Sequence, residues 1–128
     1  MNFSPSRVLI NGEFKESKFL VSIFSGTFQY GLNVFEGIRA YKQNNDEVKP
    51  FLLDEHVDRL LKSANLMGFN INFSKNSIFN DISLLLSSEN PKDDIYIKYM
   101  LCFLDDCNWA QTELIDREVF FYSLKSNL

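Results

Sequence analysis

The chain has 128 residues, 45% of them hydrophobic and 15% aromatic, and a formal net charge of −4. This length suits one domain with a single core. The acidic balance argues against general nucleic-acid binding, which normally requires a basic surface. No apolar run is long enough to cross a bilayer, and the first residues lack the pattern of a signal peptide. We therefore predict one globular domain, residues 1–128, that binds neither nucleic acid nor a membrane.

The cysteines and the histidine do not predict a metal site. Cys102 and Cys107 are the only cysteines in the sequence, and their spacing matches neither a zinc motif nor a redox motif. They are typical of free thiols in a reducing cytoplasm. His56 is the only histidine, with no cluster of other ligands, so we expect a structural role for it.

The N-terminal segment predicts short strands joined by turns. Asn11 and Gly12 stand between two apolar runs, which is a strong signal for a two-residue hairpin. Residues 19–24 are apolar and predict another short strand. Residues 28–33 predict a turn or a short helix, because Gly31 permits backbone angles that are closed to other residues.

A second hairpin is predicted around a polar tip. A strand begins at Val34, the polar residues 42–49 form an exposed turn, and residues 50–53 lead the chain back. Alternation along the first of these strands places Phe35, Gly37, Arg39 and Tyr41 on one face.

Two helices are predicted in the middle of the chain. The first runs from Asp54, which can cap it, to Gly68, which can end it in the left-handed conformation. The second runs from Ser74 or Lys75 to about Ser88, with Ser74 as its cap. Apolar residues recur at helical spacing and predict one buried stripe on each helix. The stripes are Val57, Leu60, Leu61, Ala64 and Met67, and then Ile78, Ile82, Leu85 and Leu86.

The strongest strand signal covers Ile95 to Leu104. Alternation places Tyr96 and Lys98 on one face with Met100 and Cys102, and the other face is apolar. A final strand is predicted over Glu118–Leu124. The predicted fold class is α+β: a mixed, largely antiparallel sheet with two helices packed on one face.

The strand that begins at Val34 is the first candidate for a site. A face with an aromatic ring, a bare backbone and a cation could accept a small, partly apolar, anionic ligand, and Gly37 would let that ligand approach the main chain. The residues alone leave open a half-buried strand with Arg39 in water. In the same way, Arg59 lies on the polar side of its helix, where a solvated pair with Glu55 is the plain interpretation.

Two motifs carry a family resemblance. The run Tyr30-Gly-Leu-Asn-Val-Phe-Glu-Gly-Ile-Arg-Ala-Tyr41, followed by Leu53-Asp-Glu-His-Val-Asp-Arg-Leu60, resembles the N-terminal small domain of branched-chain amino acid aminotransferases. These are class IV, or fold-type IV, pyridoxal-phosphate enzymes. Members of that family are longer than this chain, and their second domain carries the lysine that forms the Schiff base. The resemblance therefore implies a chain that lacks this C-terminal, lysine-bearing domain.

The resemblance also implies roles for particular residues. Arg59 matches the arginine that holds the cofactor's phosphate. Tyr96 and Lys98 match a Tyr-Ile-Arg segment that lines the substrate pocket, which Phe35 and Gly37 also shape. The family's tyrosine at the position of Tyr30 projects into the pocket across a dimer interface. No residue of this chain is implied to be catalytic, because none of its lysines matches the Schiff-base position.

Three departures from the family pattern bear on the substrate. Lys98 keeps the charge of the family's arginine but loses its bidentate fork, which weakens the case for recognition of glutamate. Gln29 stands where histidine is common. Residues 105–111 replace a loop that usually contains glycine and proline and that reaches the neighbouring subunit's site.

The function implied by the resemblance is reversible transfer of an amino group between leucine, isoleucine or valine and a 2-oxo acid, with pyridoxal phosphate as cofactor, in a cytoplasmic homodimer. The chain alone is expected to be inactive and to associate through exposed apolar surface. Two alternatives stay open. One is another class IV enzyme, a D-amino acid aminotransferase or aminodeoxychorismate lyase. The other is a non-catalytic binding or assembly domain.

Overall fold

The computed structural model describes residues 7–16, 20–71, 73–106 and 118–124. In these ranges the elements follow one another as β1 (Arg7–Ile10), β2 (Glu13–Glu16), α1 (Gly26–Tyr30), β3 (Asn33–Lys42), β4 (Val48–Pro50), α2 (Leu53–Leu66), α3 (Lys75–Glu89), β5 (Ile95–Cys102) and β6 (Glu118–Leu124). Four strands form one sheet in the order β4-β3-β5-β6, and β1 pairs with β2. All of these pairs are antiparallel. The predicted α+β fold with a largely antiparallel sheet is confirmed.

The core lies between the main sheet and the two longer helices. Alternation buries Ile38 and Ala40 on one face of β3, and Ile97 and Tyr99 on the same face of β5. The buried residues of α2 and α3 are members of the two predicted stripes: Val57, Leu60, Ala64, Ile78, Ile82 and Leu85. Met67 is an exception, since it lies beyond α2 and is 41% exposed. The opposite face of β3 and β5 is consequently left to the site.

The Asn-Gly hairpin forms as the sequence predicts. Asn11 and Gly12 have φ values of 49° and 80°, and Ile10 pairs with Glu13 across the turn. Positive φ at both central residues is the signature of a type I′ turn, whose twist matches that of the flanking strands. The turn therefore sets the register that buries Leu9 in the core.

The short strand predicted over residues 19–24 is wrong for residues 20–24, and residue 19 lies outside the described residues. Ser22 turns the chain, because its carbonyl accepts from the Ser25 N–H at 3.1 Å and its hydroxyl accepts from the Phe24 N–H at 3.1 Å. Leu20 and Ile23 are 90% and 59% exposed. Apolar residues alone did not make a strand here.

Both ends of α2 depend on backbone conformation. The predicted cap Asp54 is wrong, because the helix begins at Leu53 after Leu52, which has a φ of 52° and makes no capping hydrogen bond. At the other end Gly68 has a φ of 76°. The Gly68 N–H donates to the Asn65 carbonyl, and the next N–H, that of Phe69, donates to Ala64, which is the Schellman pattern. The glycine stop is therefore confirmed.

The remaining predicted elements are largely confirmed. Ser74 caps α3 by accepting a hydrogen bond from the Ser77 N–H. The second hairpin has an exposed tip, but its return strand is only β4, because Leu52 then turns the chain into α2.

Cys102 is buried at the end of β5, and Cys107 lies outside the described residues. In the described part of the chain, no helix has both the length and the apolar character that crossing a membrane requires.

A part-buried hydrogen bond joins α3 to the sheet and predicts a pH-dependent stability. The Tyr99 hydroxyl donates to Asp81 Oδ2 at 2.7 Å, and Tyr99 is only 1% exposed. Burial raises the pKa of Asp81 above its ordinary range, and the hydrogen bond from Tyr99 opposes that shift. When the pKa of a carboxyl is raised in the folded state, the protein loses stability as the pH rises through that pKa.

We therefore expect Asp81→Asn to raise the melting temperature at pH 7 by a few degrees, because asparagine still accepts from Tyr99 without a charge at this half-buried position. The gain in melting temperature should disappear below pH 3.8, the ordinary pKa of the aspartate carboxyl. Thermal unfolding from pH 3 to 8 measures this, with the exposed Asp93→Asn as the matched control. A variant less stable than the parent chain at pH 7 would contradict the expectation.

Candidate cofactor and substrate site

The face of β3 that points away from the helices carries the predicted pocket residues. Pairing with β5 sets Phe35 opposite Met100, Gly37 opposite Lys98 and Arg39 opposite Tyr96. Because directly paired residues of an antiparallel sheet project to the same face, two predicted residues from each strand share one surface: Phe35 and Gly37 from β3, and Tyr96 and Lys98 from β5.

The Tyr96 ring fills the space beside Gly37 that a side chain would need. A Cβ built on Gly37 would lie 2.8 Å from Cζ and 2.9 Å from Cε2 of the Tyr96 ring, and real Cβ atoms essentially never come that close. The sequence suggested that a bare backbone would let a ligand approach the main chain. In the structure the Tyr96 phenol occupies that space instead, so the glycine shapes the site by admitting the ring.

Lys98 leans in the same direction as Tyr96. Its Nζ lies 4.5 Å from the centroid of the Phe35 ring, a cation–π contact. Each of these two β5 side chains therefore contacts a β3 residue that lies two positions nearer to Asn33 than the residue with which it pairs. Phe35 is 54% exposed. The surface that results has an aromatic ring, a phenol and an ammonium side by side.

Arg59 is held by a carboxylate on the opposite face of β3. Glu36 is 6% exposed and points toward α2, which presents His56 and Arg59 one turn apart. The Nε of Arg59 donates to Oε1 and its Nη2 donates to Oε2, both at 2.6 Å. The sequence interpretation with Glu55 as the partner is replaced by a bidentate pair with a residue 23 positions earlier.

Glu36 is ionised at neutral pH, since its pKa is lowered in this arrangement. The hydrogen bond from Arg59 holds the pKa of Glu36 below its ordinary value, burial opposes this, and His56 adds to the lowering. The Nδ1 of His56 lies 2.9 Å from Oε2. Because an ionised carboxylate only accepts hydrogen bonds, Nδ1 must carry the proton. The longer contact of 3.5 Å between the same nitrogen and Nη2 of Arg59 is then not a hydrogen bond, since both atoms are donors.

One side of β3 is unpaired over part of its length in the described residues. β4 pairs only with Ala40, Tyr41 and Lys42, and the Phe51 N–H extends this contact to the Arg39 carbonyl. Within the described residues, the part of β3 from Asn33 to Ile38 has no strand on that side. Arg59 lies beside this segment and is 66% exposed. Its guanidinium binds Glu36 on the helix side of β3, and Phe35 and Gly37 lie on the opposite face of the same strand.

Tyr30 is presented by the short helix that precedes β3. The helix ends at Gly31, which has a φ of 65°, and Tyr30 is 45% exposed. Thr27 fastens the helix to the end of β5, because its hydroxyl donates to the Leu32 carbonyl at 2.8 Å and accepts from the Phe103 N–H at 2.7 Å. Gln29, at the position of the family's histidine, donates to the Ile23 carbonyl at 2.6 Å.

The geometry suits an anionic group better than a metal ion. Glu36 engages one edge of the Arg59 guanidinium, and the remaining N–H groups lie in a largely exposed side chain. A planar cation with its orientation fixed matches the oxygens of a phosphate. In the described part of the chain, no cluster of three histidine, cysteine or acidic side chains could hold a metal. The residues present fit the phosphate of a cofactor such as pyridoxal phosphate.

Sequence reasoning missed the role of Glu36. Alternation along β3 placed it among apolar residues on the inner face, and a buried carboxylate requires a cation or hydrogen-bond donors. That signal could have predicted a partner on a neighbouring element. It could not have chosen between the cations of α2, because the choice depends on how the helix crosses the strand.

The sheet and the two helices that cover it are typical of the small domain of class IV aminotransferases. A family model described as amino-transferase class IV matches residues 33–108, more than half of the chain. The chain belongs to this family, as the motifs predicted.

Several similar relatives are named branched-chain-amino-acid aminotransferases. The chain is 38% identical over 96 residues to a putative branched-chain-amino-acid aminotransferase of Methanocaldococcus jannaschii, covering 74% of this chain and 31% of the relative. It is 33% identical over 87 residues to a probable branched-chain-amino-acid aminotransferase of Aquifex aeolicus, covering 66% and 28%. An aminodeoxychorismate lyase of Bacillus subtilis, at 36%, and a D-alanine aminotransferase of Staphylococcus epidermidis, at 33%, are also similar. The chain thus spans about a third of the relatives' length.

Solved structures agree on the fold. A T.th. branched-chain amino acid aminotransferase with pyridoxamine 5'-phosphate superposes with a TM-score of 0.86, at 23% identity, over 98% of this chain and 42% of that one. The norvaline complex of the Thermoproteus uzoniensis enzyme gives a TM-score of 0.85 at 24% identity, over 94% and 41%. The fold of this chain is that of one part of these larger enzymes.

Proposed function

We propose that this chain is the N-terminal, small-domain part of a pyridoxal-phosphate-dependent branched-chain amino acid aminotransferase. The observation that carries the proposal is the Arg59 guanidinium, held on one edge by Glu36 at 2.6 Å and exposed on the rest. In the complete enzyme Arg59 binds the cofactor's phosphate. The cofactor supplies the electron sink for amino-group transfer, and the protein supplies orientation and electrostatics.

The other face of β3 forms one wall of the substrate pocket. Phe35 and the ring of Tyr96 offer an aromatic surface to a branched aliphatic side chain, and Gly37 leaves room for that ring. The Nζ of Lys98, 4.5 Å from the centroid of the Phe35 ring, places a positive charge where a carboxylate can bind. Tyr30 completes the pocket of a second subunit, so the complete enzyme is a homodimer. Its substrates are an amino acid and a 2-oxo acid, and it works in the cytoplasm.

A second candidate is another class IV activity. The similarity to an aminodeoxychorismate lyase, at 36% identity, and to a D-alanine aminotransferase, at 33% identity, supports it. The run Phe35-Glu36-Gly37-Ile38-Arg39 favours the branched-chain group. A non-catalytic assembly role is favoured by Lys98 and Gln29, which depart from the family pattern.

The full-length gene product that contains this chain tests the choice. We expect it to convert L-leucine and 2-oxoglutarate to the corresponding 2-oxo acid and glutamate, at a kcat/KM at least tenfold above that for D-alanine. Turnover of D-alanine alone, or release of pyruvate from aminodeoxychorismate, would assign the second candidate. The 128-residue chain is the matched control. We expect from it neither turnover nor a borohydride-reducible lysine adduct, because no lysine in it matches the Schiff-base position.

A further inference from the structure

The Glu36 carboxylate accepts three hydrogen bonds at one buried point. Two come from Arg59 at 2.6 Å and one comes from His56 Nδ1 at 2.9 Å. The exposures of the side chains differ sharply: 7% for Glu36, 19% for His56 and 66% for Arg59. The carboxylate is therefore the fixed member of the cluster, and the guanidinium is the member that reaches solvent.

This arrangement decides which way the guanidinium faces. An exposed arginine has many rotamers, and ordering such a side chain costs conformational entropy. The bidentate contact uses the Nε edge of Arg59 and turns the remaining N–H groups away from Glu36. The cost of ordering is met in the folded chain and not when an anion binds, which is the meaning of preorganisation.

The negative charge of Glu36, considered alone, should weaken the binding of a phosphate by Arg59. Glu36 is ionised and lies within hydrogen-bonding distance of Arg59, so it cancels part of the positive charge that attracts a phosphate. A carboxylate beside an anion site is useful only if orientation outweighs this cancellation. The two effects predict opposite signs for removal of the Glu36 charge, and the sign can be measured.

We propose that Glu36 is a positioning residue for the cofactor's phosphate: it fixes the guanidinium of Arg59 in its binding orientation, and His56 holds the carboxylate in place. This inference rests on the proposed function, in which Arg59 binds the phosphate. Glu36 itself does not contact the phosphate. It acts through Arg59.

The experiment compares the binding of pyridoxal phosphate and of pyridoxal, which lacks the phosphate, to the full-length gene product. We expect Glu36→Gln to weaken pyridoxal phosphate about tenfold, because one carboxylate oxygen becomes an N–H donor that faces Arg59. Pyridoxal should bind as it does to the parent protein. Glu36→Asp keeps the charge but has a shorter side chain. Its affinity for pyridoxal phosphate should lie between that of the parent protein and that of Glu36→Gln. Glu47→Gln makes the same charge change at the exposed tip and should have no effect.

Glu36→Gln in an Arg59→Gln background separates the positioning role of Glu36 from the phosphate-binding role of Arg59. In that background Glu36→Gln should no longer weaken pyridoxal phosphate, since there is no guanidinium to position. If Arg59→Gln has no effect by itself, the proposed phosphate role fails. If Arg59→Gln weakens binding but Glu36→Gln leaves it unchanged or tightens it, the positioning inference is overturned while the proposed function stands. Equal loss for pyridoxal and pyridoxal phosphate in Glu36→Gln would also overturn it, since that result indicates a general structural role.

Discussion

Replacement of Arg59 by glutamine is expected to weaken binding of pyridoxal phosphate to the full-length gene product by about a hundredfold, because both the charge and the planar fork are lost. Arg59→Lys keeps a point charge without the fork and should lose about tenfold. The affinity for pyridoxal should change little in either variant. The ratio of the two affinities, measured by absorbance titration, therefore isolates the contact with the phosphate.

The matched control for Arg59 is Lys92→Gln. Lys92 is an exposed cation in the loop between α3 and β5, near the end of the sheet where Ala40 pairs with Ile95. The Lys92→Gln substitution removes one positive charge and leaves Arg59 and Glu36 unchanged. Equal weakening by both substitutions would mean that net charge, and not a specific contact, attracts the cofactor. An unchanged affinity in Arg59→Gln would refute the phosphate assignment.

Gly37→Ala is expected to destabilise the chain by about 1–3 kcal/mol, because the new methyl group would displace the Tyr96 ring. The nearest ring carbons would lie 2.8 and 2.9 Å from the added atom. Tyr96→Ala removes the obstacle. In that background the same substitution should stabilise the chain by about 0.5–1 kcal/mol, since alanine has less backbone entropy to lose than glycine in a strand.

Urea denaturation of the four chains measures this reversal of sign. Tyr96→Phe is the sharper control, because it removes only the hydroxyl and leaves the ring carbon at 2.8 Å. Gly37→Ala should remain destabilising with phenylalanine at position 96. A cost that persists in the Tyr96→Ala background would show that the backbone of β3, and not the ring, demands a glycine.

The elements that were predicted correctly have a local physical cause. The Asn11-Gly12 turn needs only two residues that tolerate positive φ. The burial alternation of β5 and the stripes of α2 and α3 follow from side-chain periodicity, and Gly68 stops α2 through its own backbone angles. In each case the decisive interaction lies within a few residues of the signal, so one sequence is enough to find it.

The wrong predictions fail for a shared reason. Residues 20–24 have the apolar character of a strand, but the described part of the chain supplies no neighbouring strand for them. Asp54 has the chemistry of a helix cap, but Leu52 turns the chain one residue too early for it. Asp54 instead lies 2.7 Å from the Nζ of Lys75 on α3. Whether a local preference is used depends on which partners the fold brings close.

The sequence by itself determined which surfaces this protein has: an aromatic face on β3 and β5, an apolar face under two helices, and a motif that places the chain in its family. Only the tertiary structure decided how the site is built. It brought Arg59 to Glu36 and laid Tyr96 over Gly37. Both contacts join residues that are distant in sequence, and their geometry depends on strand register and on the path of a helix across a sheet, which no local pattern encodes.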